Sequence, residues 1–329
     1  MMQLETVTVI GGGAWGTALA QASAMAGRTV QLVVRSAEQA AAINASRINE
    51  RALPGQTLLP GLIATDRAEM ADIVILAVPA QMTRGVLDGI DPALLTGRPV
   101  VLSAKGLEAG TLARQSEILA DMAPDALGFV LSGPSFAADV AAGRPTAVTL
   151  AGDDASDTSA LALALAGPTF RPYAADDRIG VEIAGALKNV YALACGAVEG
   201  AGLGASARAA LIARGYAEMA RMVTAMGGSA HTLTGLAGLG DLTLTCTSVQ
   251  SRNYQFGMAL GAGRRTAEIL SSGAKLAEGV ATAPVAAALA RSLGVDAPLI
   301  EAVDAVVAGT SDIATIVAGL MSRPLKREH

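Results

Sequence analysis

The stretch Val7-Thr8-Val9-Ile10-Gly11-Gly12-Gly13-Ala14-Trp15-Gly16-Thr17-Ala18-Leu19-Ala20 decides the first half of the fold. A β-branched apolar run enters a glycine loop, and small residues at helical spacing follow it. Gly11, Gly13 and Gly16 fall at the positions of the G-x-G-x-x-G pattern, with Ala14 and Trp15 between them. Gly11 permits a tight turn, Gly13 lets backbone approach a pyrophosphate, and Gly16 lets helix and strand pack closely. The helix N-terminus then offers unpaired N–H groups to the anion. In a chain of 37 glycines the pattern alone carries little; the strand before it and the helix after it make it a dinucleotide site.

The next apolar run, Thr29-Val30-Gln31-Leu32-Val33-Val34, ends at Arg35-Ser36. An NAD-selective site usually places an acid here to accept from the ribose 2′-hydroxyl, whereas a guanidinium pairs with the 2′-phosphate of NADP. NADPH is therefore favoured, with NAD as the alternative, and Arg35 as a solvated strand-end charge is the structural reading of the same residue.

At 329 residues the chain calls for two domains with substantial cores. Alanine raises the apolar fraction to 52%, yet no uncharged run reaches the length of a bilayer span, so no transmembrane segment is expected. The first apolar stretch lacks a basic n-region and a small-residue cleavage site, which argues against a signal peptide. Cys195 and Cys246 are the only cysteines; both lie in apolar or Thr-rich sequence, and a cytoplasmic location follows as the expectation. His231 and His329 show no metal-ligand spacing with them and read as surface residues, so no metal is expected. A net charge of −5 without a basic stripe argues against a nucleic-acid partner.

Further apolar runs at 73–78, 100–102, 129–131 and 147–150, separated by helix-length segments, predict a doubly wound, mainly parallel α/β sheet with its ligand at the carboxyl ends of the strands. Those ends carry Pro79-Ala80-Gln81, Ser103-Ala104-Lys105-Gly106 and Ser132-Gly133-Pro134-Ser135-Phe136-Ala137. Turns are built from such residues anyway, but Lys105 places a cation on the crevice. After Asp176-Asp177-Arg178 the pattern turns helical, over 181–198, 206–226, 253–261, 282–293 and 298–308. The expected division is a dinucleotide-binding domain over 1–178 and an all-α substrate domain over 179–329.

Helix 181–191 is apolar or small on every side except at Glu182, Lys188 and Asn189. Such a helix is normally buried, and a buried lysine must be paired or have its pKa lowered. A lowered amine can exchange protons near neutrality, which carbonyl reduction requires as hydride arrives. Lys188 snorkelling to the surface or pairing with Glu182 accounts for the sequence equally well. Further on, Asp241, Thr245, Ser251, Arg252 and Asn253 gather an acid, hydroxyls, a guanidinium and an amide. Arg252 can hold a phosphate through two parallel hydrogen bonds, and Asn253 can open a helix whose N–H groups also favour an anion. Asp241 as a helix cap and Ser251-Arg252-Asn253 as a solvated turn are the bland alternatives.

Gly11 to Gly16, Lys105-Gly106-Leu107-Glu108, Ser132 to Ala137, Gly185 to Val190, Ala237-Gly238-Leu239-Gly240-Asp241-Leu242 and Ser251-Arg252-Asn253 together resemble, in order, the motifs of bacterial NAD(P)-dependent glycerol-3-phosphate dehydrogenase. The resemblance implies reversible reduction of dihydroxyacetone phosphate to sn-glycerol 3-phosphate, the phospholipid precursor. It implies Lys188 as proton donor and acceptor, and Lys105 as a substrate contact that lowers the Lys188 pKa by like-charge repulsion. Asp241 and Thr245 would orient Lys188 or the substrate, while Ser251, Arg252 and Asn253 would lie at the phosphate. Gly133 and Ser135 would form the substrate loop, with Ala137 beside the cofactor. Trp15, Lys105, Arg252, Leu276 and Glu278 would also face the dinucleotide, and a homodimer is expected. A dehydrogenase of another hydroxy acid, with Lys105 and Arg252 on a carboxylate, and a non-catalytic NADPH sensor are the competing readings.

Overall fold

The computed structural model describes residues 4–273 and 277–324. Its first half alternates strand and helix: β1 (Thr6–Ile10), α1 (Ala14–Met25), β2 (Thr29–Val33), α2 (Ala37–Ser46), β3 (Leu62–Thr65), β4 (Ile73–Leu76), α3 (Thr83–Asp88), β5 (Pro99–Leu102), α4 (Gln115–Met122), β6 (Leu127–Ser132), α5 (Ala137–Ala141), β7 (Thr146–Ala151), α6 (Ala155–Leu165) and β8 (Phe170–Ala175). The strands form one sheet in the order β3-β2-β1-β4-β5-β6-β7-β8. β1 pairs with β2 on one side and β4 on the other, so the winding reverses between β1 and β4 and opens a crevice at their carboxyl ends. Every residue of β4 and β5 is buried, because helices cover both faces there; this is why their sequences are unbroken apolar runs.

One seam departs from the parallel order: β7 runs antiparallel to β6, with Leu131 opposite Leu150. The connection between them holds only the five-residue α5. The edge strands β3 and β8 give no apolar-run signal in the sequence, since each mixes exposed with buried positions and β8 contains Pro172.

The second half is helical: α7 (Arg178–Gly200), α8 (Ala205–Ala225), α9 (Asp241–Thr247), α10 (Arg252–Gly261), α11 (Thr266–Ser271), α12 (Glu278–Ser292), α13 (Pro298–Ala308) and α14 (Ile313–Met321). The Asp177 side chain starts α7 by accepting from the Gly180 N–H. α7 is the hub, packed against α8, α9, α10, α12 and α13. Burial of Val181, Ile183, Leu187, Val190 and Leu193 contributes ~1.5–3 kcal/mol each. By length and composition α7 could cross a bilayer, yet 94% of its apolar window is buried inside the molecule.

The α7–α10 crossing is backbone against backbone. A Cβ on Gly196 would lie 2.0 Å from the Tyr254 carbonyl oxygen, and one on Gly257 would lie 2.1 Å from that of Leu193. Only hydrogen at these positions lets α10 bring Arg252 and Asn253 up to the lysine-bearing helix. His231 is exposed, whereas His329 and Leu276 lie outside the described residues.

Candidate active site

Three sides of one crevice converge: the glycine loop after β1, the loops after β5 and β6, and the facing surfaces of α7, α9, α10 and α12. In the glycine loop each position has its own physical reason. Gly11 has φ +121°, and a Cβ there would lie 2.4 Å from the Ala77 carbonyl oxygen; a Cβ on Gly16 would lie 1.9 Å from that of Gly11. Gly13 is exposed with open space beside it, the room a pyrophosphate needs. No side chain caps α1 and its first turn holds no acid, so its N–H groups face outward under a positive helix end. The loop fits a dinucleotide diphosphate.

Trp15 lies half-buried in α1 with its ring centroid 5.9 Å from the Lys105 ammonium, a cation–π approach. Ala14, Trp15 and Ala137 pack on one apolar cluster where α5 meets α1. Arg35 is exposed just past β2, and Ser36 beside it caps α2 by accepting from the Gln39 N–H.

At the centre stands Asp241, 1% exposed, whose two oxygens divide between two lysines. Its Oδ2 accepts from Lys105 Nζ at 2.7 Å, and its Oδ1 accepts from Lys188 Nζ at 2.9 Å. Lys188 Nζ also donates to Thr245 Oγ1 at 2.9 Å, and the Thr245 hydroxyl donates to Asp241 Oδ1. Burial pushes the Lys188 ammonium down to about 8; Asp241 opposes this and Lys105 adds to it. Burial also works to raise the Asp241 carboxyl, but Lys105 and Lys188 together hold it below the usual range. Charge repulsion from Lys105 thus assists, while desolvation is the main reason Lys188 can exchange a proton near neutrality.

Lys188 therefore neither snorkels nor pairs with Glu182. That carboxylate is taken by Arg114 Nη1 at 3.0 Å and by the Ser116 backbone N–H at 2.9 Å. Asp241 is not a helix cap either: it occupies the first turn of α9 and spends both oxygens on lysines.

The loop after β6 supplies Gly133 with φ +144°, where a Cβ would lie 2.9 Å from Val148 Cα. Its carbonyl accepts from Lys105 Nζ at 3.1 Å and from Ser135 Oγ at 3.0 Å, so Ser135 shapes the loop that faces Lys105. Ser132 Oγ, buried and without a hydrogen-bond partner, abuts Gly185, where a Cβ would lie 2.8 Å from it and 3.6 Å from Lys105 Cγ.

At the α10 end the expected cluster divides. The Ser251 oxygen serves as the N-cap of α10, accepting from the Tyr254 N–H. Asn253 is buried, donating to Asn189 Oδ1 at 2.8 Å and accepting from the Gly279 N–H at 2.9 Å; its side chain is committed to tying α10, α7 and α12 together. The Arg252 and Asn253 backbone N–H groups remain without intrahelical acceptors, and the exposed Arg252 side chain stands at the same helix end. Glu278, at the start of α12, has its carboxyl pushed up by burial and is stabilised as an anion by Arg252, the Ala80 N–H, Lys188 and Lys105. Arg252 and both lysines therefore share one electrostatic field.

Family models for the N-terminus and C-terminus of NAD-dependent glycerol-3-phosphate dehydrogenase match residues 6–158 and 177–318. The chain is 50% identical to glycerol-3-phosphate dehydrogenase [NAD(P)+] of Caulobacter vibrioides, over 99% of this chain and 100% of the relative. It is 52% identical to the Methylobacterium radiotolerans enzyme of that name, over 99% of each. Among solved structures, glycerol-3-phosphate dehydrogenase of Coxiella burnetii superposes with a TM-score of 0.91 at 36% identity, covering 97% of this chain and 99% of that one. D-Mandelate dehydrogenase shares the fold alone, with a TM-score of 0.61 at 15% identity, over 92% of this chain and 98% of that one. With both family models matched in order and full-length relatives about half identical, the chain belongs to the NAD-dependent glycerol-3-phosphate dehydrogenase family.

Proposed function

We propose that this chain reversibly reduces dihydroxyacetone phosphate to sn-glycerol 3-phosphate with a nicotinamide dinucleotide, supplying phospholipid synthesis. When bound, NADPH supplies hydride to the substrate carbonyl carbon. As negative charge develops on the carbonyl oxygen, the Lys188 ammonium donates a hydrogen bond and then its proton to that oxygen, leaving a neutral amine and an alcohol. In oxidation the amine takes the proton back. Thr245 and Asp241 orient Nζ, and Lys105 adds a second cation toward the same oxygen or its neighbouring hydroxyl. The Gly133–Ser135 loop borders the substrate, while Arg252 and the α10 N–H groups hold its phosphate. Gly11, Gly13, Ala14, Trp15 and Gly16 hold the dinucleotide from the sheet side with Ala137, and Glu278 from the helical side.

The observation that carries this reading is the buried Lys188 ammonium, hydrogen-bonded to Asp241 and Thr245 at the mouth of the glycine-loop crevice. Purified protein mixed with NADPH and dihydroxyacetone phosphate should lose absorbance at the nicotinamide band. NADPH binding with no such loss would refute it and leave a sensor.

Arg35 supports a preference for NADPH over NADH. Comparing kcat/KM for both cofactors in the parent and in Arg35→Ala tests this, since the ratio should collapse in the variant. Two free, buried thiols support a reducing, cytoplasmic setting. Apolar α14, none of whose residues is buried, supports pairing with a second copy, which light scattering would test.

A further inference from the structure

The segment carrying Lys105 is gripped in an unusual way. Three consecutive backbone carbonyls each accept from a side-chain carboxamide: Lys105 from Asn189 Nδ2 at 3.2 Å, Gly106 from Gln115 Nε2 at 3.0 Å, and Leu107 from Gln81 Nε2 at 2.7 Å. Gln81 also accepts from the Ala109 N–H at 2.9 Å. The Gln115 amide is fixed in turn by Thr83, whose hydroxyl donates to its Oε1 at 2.5 Å, and both residues are buried. Gly106 has no lateral freedom, since a Cβ there would lie 2.8 Å from Ala80 Cβ and 3.2 Å from Thr282 Oγ1. Leu107 plugs into the core of the helical half. Lys105 is thus the free end of a clamped peptide, and its Nζ reaches Asp241 Oδ2 and Gly133 O.

We propose that Gln115, locked by Thr83, is a positioning residue that sets the basicity of Lys188 through Lys105. The argument rests on the dehydrogenase reading above. Gln115 holds the Gly106 carbonyl, one peptide beyond the Lys105 carbonyl that Asn189 holds. Lys105 and Lys188 share one carboxylate, so any retreat of the Lys105 ammonium removes a like charge from Lys188 and leaves Asp241 wholly to it. Both changes favour the protonated amine. A purely structural amide would lower stability without moving the Lys188 titration. Gln115 and Thr83 touch neither lysine side chain in the hydrogen-bond network, so an effect on the Lys188 titration has to travel along the peptide.

The test uses Gln115→Met, which keeps volume and removes the amide, and the pair Thr83→Val and Thr83→Ser, which remove and keep the hydroxyl. Two readouts are needed. The first is the pH profile of kcat for dihydroxyacetone phosphate reduction. Its alkaline limb should move up by roughly one unit in Gln115→Met, by less in Thr83→Val, and stay with the parent in Thr83→Ser. The second is the emission of Trp15, the sole tryptophan, in protein without cofactor. The Lys105 ammonium lies over this ring, so its displacement should shift the emission of Gln115→Met and Thr83→Val but not of Thr83→Ser. An inactive parent would sink the dehydrogenase reading, with the Trp15 series still reporting on the clamp. An active parent whose folded variants keep both the alkaline limb and the Trp15 emission would overturn the clamp. Should Gln115→Met not fold, the Thr83 pair decides alone.

Discussion

Replacing Asp241 with asparagine removes the one anion that two buried ammonium groups share. With nitrogen to oxygen distances of 2.9 Å to Lys188 and 2.7 Å to Lys105, the charge centres lie ~4 Å apart. At an effective dielectric of ~20 each attraction is worth ~4 kcal/mol, equivalent to ~3 pKa units. Asparagine keeps one acceptor and part of that energy, so the Lys188 pKa should fall from about 8 by on the order of two units or more. In the parent, reduction should be flat with pH until about 8 and then decline as the donor proton is lost, while oxidation rises over the same range. In the variant both limbs move down, and at pH 7 the charged fraction drops from about nine-tenths to about a tenth or less, a reduction rate lower by roughly tenfold or more. The assay is the initial rate of nicotinamide absorbance change from pH 5 to 10 in both directions. Breaking the two buried pairs should also cost ~3–5 kcal/mol of stability, read by urea unfolding. An alkaline limb still at about 8 in a folded Asp241→Asn enzyme would refute the shared-carboxylate account.

Lys188→Ala should lower kcat by ~10²–10⁴ while leaving NADPH affinity near that of the parent, measured by fluorescence titration; parallel loss of both would contradict a proton-transfer role. Arg252→Ala should raise KM for dihydroxyacetone phosphate at least tenfold, by the ~1.5–3 kcal/mol of a charged hydrogen bond, and leave unphosphorylated dihydroxyacetone unaffected. Glu218, buried in α8, accepts from the Leu299 and Ile300 N–H groups at the start of α13, and burial pushes its carboxyl up to about 7. The folded state therefore binds this proton more tightly than the unfolded one, so the contribution is complete below about 4.5 and is lost as pH rises to about 7. Between those limits the parent should lose on the order of 3 kcal/mol that Glu218→Gln does not lose, seen by comparing denaturation midpoints at pH 5 and 8; identical pH slopes in the two proteins would remove Glu218 as the source.

Local chemistry explains what could be read in one dimension. The glycine loop and α1 are legible because turn, cradle and helix start lie within a few residues of one another. α7 is legible because a helix with polar groups only at Glu182, Lys188 and Asn189 has to be buried, and a buried lysine has to be answered by something. What answers it is not local. Asp241 lies 53 residues from Lys188 and 136 from Lys105, and no periodicity relates them; only the docking of α9 on α7 at the end of β5 and β6 does. Glu182, six positions from Lys188, is a nearer acid in sequence, yet it points to Arg114 and Ser116 because helical rotation puts it on another face. Ser251 and Asn253 carry ligand-like side chains, and only the tertiary structure shows the cap that one makes and the inter-helix bridge that the other makes. Gln115 belongs to no motif, since holding a carbonyl leaves no mark on the residues around it. The sequence by itself determined a dinucleotide loop on a wound sheet and a buried lysine on a central helix, because short-range sterics and desolvation are properties of neighbouring residues. Tertiary structure alone decided which carboxylate meets that lysine, where the sheet turns antiparallel and how closely α10 approaches α7, because each depends on distances between segments that the chain order leaves free.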